Sequence, residues 1–180
     1  RFLEDTIMKM FKKLMAVALA GVMALVVLTG CANKALDTKE ILASMKDAAE
    51  DRYVLEDAGD ADAAKMMSVL KEYKEKDAYK DMKVEDMLND ADVMTKVREN
   101  LVPADNKDMV RVSIAKVEEY QSKYYVETLY QQLASELFYN GVEVASVSGE
   151  TGKNGKVSLK ADQIGGDTYV VAVIRVAPKA

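Results

Sequence analysis

Asp57, Asp60 and Asp62 lie close enough in the chain to offer hard oxygen ligands to a calcium ion. They lack the D-x-D-x-D-G loop and its distal bidentate glutamate, so the plainer reading is an acidic turn that starts a helix. Gly149 to Lys156, GETGKNGK, has the composition of a phosphate-binding loop. Glu150 stands where that loop needs its first glycine, and Val157 where it needs a magnesium-binding Ser or Thr, so a hairpin loop explains it better. The chain has 30 Asp and Glu, no histidine and one cysteine, Cys31. Nucleophile pairs that need histidine are thereby excluded, as are imidazole and multi-thiolate zinc sites. Hydrolysis by a carboxylate pair stays open, although so many acids nominate no pair. No catalytic residue, metal site or cofactor is expected.

Tyr120, Tyr124, Tyr125, Tyr130 and Tyr139 are dense for a chain with three phenylalanines. They combine area with a polar tip, so the first four are candidates for stacking on a glycan or gripping a protein or peptide. The alternative is that they rim the core with their hydroxyls in water. Met66, Met67, Met82, Met87 and Met94 pose the same choice between an adaptable face and core filling.

The cysteine stands at a boundary. Lys9, Lys12 and Lys13 form a positive segment after the plausible starts Met8 and Met10, and Leu14 to Leu28 is an unbroken apolar run. As a helix this run extends about 22 Å, short of the roughly 30 Å hydrocarbon core of a bilayer. Leu28-Thr29-Gly30-Cys31 then resembles the lipobox of bacterial lipoproteins. The resemblance covers residues 8–33 and implies cleavage before Cys31, a diacylglycerol on its sulfur, and a mature protein held on the extracytoplasmic face of a bacterial membrane. A diacylglycerol anchors stably where a single acyl chain does not. Residues 31–36 form a tether of at most about 20 Å.

Net charge is −5 for the chain, and removing residues 1–30, with their four basic and two acidic side chains, leaves −7. Nucleic acid, which needs a basic stripe, is an unsuitable partner. Residues 37–180 are long enough for one domain with an ordinary core.

Asp37 to Glu40 predicts a capped helix start, with Glu40 reaching back to close a capping box. Ile41, Leu42 and Met45 share its inner face. Periodic apolar positions predict a second helix through Ala63, Met66, Met67 and Leu70. A third runs from Val84 to Leu101 and ends before Pro103. The segment 109–130 reads either as helix or, by a faint echo of 157–171, as a strand, a turn near Tyr120 and a second strand. A short helix through Leu129, Leu133 and Leu137 follows, then strand from Val142. Asn154-Gly155 predicts a tight hairpin turn. The apolar run TYVVAVIRV predicts a strand buried on both faces.

The expected architecture is α+β, with helices over 37–101 packed on a mainly antiparallel sheet within a mixed, strand-rich 107–177. The expected function is a non-enzymatic, lipid-anchored binding module for a protein, peptide or envelope glycan. The alternative is a carboxylate-dependent cell-envelope hydrolase.

Overall fold

The computed structural model describes residues 36–118, 125–147 and 149–179. Helix α1 is Thr38–Ala49, and the Asp37 carboxylate accepts the Lys39 N–H at 2.9 Å as its cap. The capping box does not close through Glu40. The Asp37 N–H instead donates to the hydroxyl of Tyr130, 93 residues on, at 3.2 Å. A tertiary contact thus satisfies the donor that a local side chain was expected to take.

The helical stretch expected over 37–101 is interrupted by a strand, β1, Val54–Asp57. Only Leu55 of this short segment is buried, so no apolar alternation announces it. Helix α2, Ala61–Lys74, follows and buries Ala63, Met66, Met67, Val69 and Leu70. Asp60 precedes it without a side-chain cap, and the buried Ser158 hydroxyl accepts the Ala63 N–H at 3.1 Å instead.

The single helix expected from Val84 to Leu101 is two pieces. A 3₁₀ turn over Glu85–Asn89 ends at Asp90, which caps helix α3, Ala91–Leu101. The Asp90 carboxylate accepts the N–H groups of Asp92 and Val93, each at 3.0 Å, and that competition with helical bonding makes the break. Met66, Met67 and Met87 are fully buried, which is the core-filling reading of the methionines.

Segment 109–130 begins as the strand that the echo of 157–171 suggests, β2, Met109–Lys116, which is not the helix of the other reading. Helix α4 is Val126–Tyr139, so no second strand precedes it among the described residues. The turn expected near Tyr120 falls outside the described residues. Strands β3, Val142–Ala145, β4, Thr151–Ile164, and β5, Asp167–Pro178, complete the chain.

The five strands form one sheet in the order β1-β4-β5-β2-β3, antiparallel except for the parallel β1–β4 pair. Strand β5 is central, as its composition predicts. Val170, Ala172, Ile174 and Val176 face a core shared with α1 and α4, while Tyr169, Val171 and Val173 face one shared with α2 and α3. The fold is therefore α+β in three layers, with helices on both faces of a mainly antiparallel sheet.

Asn154-Gly155 is not a turn. Both residues lie inside β4 opposite β1, pairing with Val54 and Leu55. A Cβ on Gly155 would sit 2.8 Å from Leu55 Cδ2, so this glycine leaves room for the buried Leu55 side chain of β1. The hairpin turns at Gly165 and Gly166, whose φ values of +61° and +97° are costly for other residues.

Candidate functional site

The Gly165–Gly166 turn sets the register at one end of the sheet. Tyr169 of β5 lies directly between Lys116 of β2 and Asp162 of β4, so the three side chains share a face. Asp167, two residues earlier on β5, joins that face and accepts an ion pair from Lys116 at 2.9 Å. The hydrogen bond it donates to Asp167 is the main cause that raises the Lys116 ammonium above its ordinary pKa.

The helices then build a wall over this end. Lys71 of α2 pairs with Asp162 at 2.6 Å. Lys74, at the end of α2, runs over the turn so that its Cε lies 3.1 Å from where a Gly165 Cβ would be. Its ammonium donates to the carbonyls of Lys80 at 2.7 Å and Met82 at 2.6 Å, with Tyr79 farther off at 3.4 Å. This clamp holds the segment that leads to the 3₁₀ turn and brings Glu85 over Tyr169.

Between wall and sheet lies a cavity of about 480 Å³, whose lining includes Glu85, Lys116, Glu118, Asp167 and Tyr169. The size is that of a small-molecule site. Tyr169 is only 4% exposed, yet its hydroxyl makes no hydrogen bond among the described residues. The fold supplies that hydroxyl no partner, so whatever occupies the cavity beside it is what it can bond to. Burial first, then the charge of Glu85, pushes its phenol up to about 12. It stays protonated at any physiological pH, able to donate or accept.

No family model matches the chain, and no curated protein or solved structure matches it either. The functional reading therefore rests on this geometry and on the sequence.

The residues singled out in sequence fare unequally. Leu28, Thr29, Gly30 and Cys31 lie outside the described residues, as do Tyr120 and Tyr124. Tyr125 is 54% exposed just before α4, whereas Tyr130 is half-buried and its hydroxyl accepts the Asp37 N–H. Tyr139 receives a 2.6 Å hydrogen bond from Arg52 and its hydroxyl lies 3.2 Å from the Ala48 carbonyl, which ties α4 to α1. Tyr130 and Tyr139 thus tie helices together.

The aspartate trio is also occupied. Asp57 accepts the Gly59 N–H at 2.7 Å, Asp60 meets Lys160 at 3.3 Å, and Asp62 binds Arg175 and Lys65. Among the described residues no group of three or more Asp, Glu or Cys is placed to hold a metal ion. Carboxylate-pair hydrolysis needs one carboxyl held protonated. Among the described residues, Asp62 and Asp90 are held below the ordinary carboxylate value, the opposite of what such an acid needs.

A second groove of about 360 Å³ lies against α2 and α3. Tyr73 and Tyr79 meet edge to face there at 5.2 Å, and their hydroxyls reach the Asp92 carbonyl and the Asp90 carboxylate. With its polar tips partnered internally, this groove offers a ligand little. Sequence reasoning missed Tyr169, Glu85, Lys116, Glu118 and Asp167. The available signal was Tyr169 itself, a hydroxyl inside a run predicted to be buried on both faces.

Proposed function

We propose that the protein is a bacterial lipoprotein, held on the extracytoplasmic face of the membrane by a diacylglycerol on Cys31, whose domain is a non-enzymatic binding module. The ligand site is the cavity beneath Glu85 and Tyr169, and its ligand belongs to a protein, a peptide or the cell envelope. The observation that carries the reading is the order of the N-terminal signals. A positive segment, an apolar run and the box Leu28-Thr29-Gly30-Cys31 precede Asp37, the cap of the first helix of the domain, by six residues. The cavity supports the binding role because it combines ligand-sized volume with a polar group left unsatisfied by the fold.

Mass spectrometry of the full chain, expressed in a bacterium and extracted in detergent, tests the anchor. The expected species begins at Cys31 and carries a diacylglycerol, and the Cys31→Ser variant retains its leader. An intact leader with an unmodified thiol in the parent protein overturns the proposal.

A further inference from the structure

The charges around the cavity do not cancel once their partners are counted. Lys74 is held by three backbone carbonyls, Lys116 is paired with Asp167, and Lys80 is paired with Asp77. Among the lining residues that leaves Asp81, Glu85 and Glu118 with no ion pair among the described residues, against Lys83 and against Lys74, whose charge the carbonyls hold in place without cancelling. The surplus is negative. It surrounds a hydroxyl that is buried, unpartnered and on the cavity wall, that of Tyr169.

We propose that this cavity binds a primary ammonium group on a short flexible chain, received by the Tyr169 hydroxyl and by the carboxylates of Glu85 and Glu118. An ammonium carries three donors, which matches one hydroxyl oxygen and two carboxylates approaching from different elements. The phenol accepts from the ammonium through its oxygen, so the group that the fold leaves unsatisfied gains a partner. Glu85, Asp167 and Glu118 act together on that phenol and Lys116 opposes them, so the balance at the hydroxyl is negative and one that a further cation relieves. A bare metal ion is the poorer occupant, because these carboxylates are not gathered closely enough to chelate one. The cavity volume leaves room for the chain that carries the ammonium.

This inference rests on the reading of the domain as a binding module, and its test separates the two. Isothermal titration calorimetry of the detergent-extracted full chain uses 1,5-diaminopentane and N-acetyl-lysine amide as probes, with 1,5-pentanediol and glutarate as neutral and anionic counterparts. At least one amine binds saturably and the counterparts do not. Preference for the lysine derivative identifies a peptide source for the ammonium, and equal or better binding of the diamine identifies a free amine. Tyr169→Phe and Glu85→Gln each weaken binding about tenfold or more, the loss expected for a hydrogen bond to a charged group. Removing an unpaired hydroxyl leaves the fold intact, which circular dichroism verifies, and the half-buried Glu85 provides a second variant at the surface. Binding of pentanediol or glutarate as tight as that of the amines overturns the proposal. So does amine affinity unchanged in both variants, or no amine binding at all. Lipid on Cys31 is read separately by mass in the same preparation, so a missing anchor and an empty cavity are distinct results.

Discussion

Arg175 of β5 donates from Nε to the Asp62 carboxylate in the first turn of α2 at 2.7 Å, and the same guanidinium reaches the Leu101 carbonyl at the end of α3. One side chain therefore fastens the central strand to the start of one helix and the finish of another. Both charged groups are about four-fifths covered, with side-chain exposures of 20% and 21%, so solvent screens them only partly. Arginine suits the position because its planar fork serves an acid and a carbonyl together.

Burial alone pushes the Asp62 carboxyl up, but hydrogen bonds and charge from Arg175 and Lys65 outweigh it and hold it below its ordinary value. A depressed carboxylate contributes stability that is complete above the unfolded pKa of about 3.9 and lost as pH falls through the folded value. Asp62→Asn is expected to cost about 1–3 kcal/mol at pH 7, the range for breaking a charged hydrogen bond that is partly buried. The difference from the parent narrows as the pH drops below 4. Urea unfolding at pH 7 and pH 3 measures it, and an equal deficit at both values rules out this role for the pair.

Tyr169 produces the opposite dependence. Its phenol is raised to about 12 in the folded chain, against 10 when unfolded. Between those values the folded protein holds a proton that the unfolded one has released, so stability present below pH 10 declines as the pH rises toward 12. Tyr169→Phe has no such proton to lose. Thermal melts across this interval are therefore expected to show a smaller decline for the variant than for the parent. Parallel declines would contradict the environment described for the hydroxyl.

Composition and periodicity went far with this chain wherever burial decides structure. The run from Tyr169 to Val176 reads as a two-faced central strand because both faces of β5 are covered. The Asp37 cap reads locally because its bond spans two residues. What escaped was set by partners distant in sequence. Strand β1 exists because β4 offers it an edge, and its own four residues bury only Leu55. The candidate site escaped for the same reason. Lys116, Glu118, Asp167 and Tyr169 come together through the register of β2 with β5, and Glu85 arrives through the clamp that Lys74 makes on three carbonyls. Single charged residues at strand ends look like ordinary solvated surface until that register is known.

The two glycine-bearing stretches of the β4–β5 hairpin permit a sharper test, because they are glycine for different reasons. Gly166 has open space where a Cβ would go, and its φ of +97° alone opposes substitution. Gly166→Ala is expected to cost about 1–3 kcal/mol from backbone strain. Gly155 has no unusual φ but lacks room, with Leu55 Cδ2 2.8 Å from its Cβ position. Gly155→Ala is expected to cost about 1–3 kcal/mol by forcing the buried Leu55 side chain out of its place. Leu55→Ala vacates that space, so in a double-mutant cycle it couples to Gly155→Ala by about 0.5–3 kcal/mol and leaves Gly166→Ala additive. Asn154→Ala, at an exposed strand position, stays within about 0.5 kcal/mol of the parent. A hairpin that turned at Asn154-Gly155 would reverse the pattern, with Asn154→Ala costly and Leu55 uncoupled from Gly155.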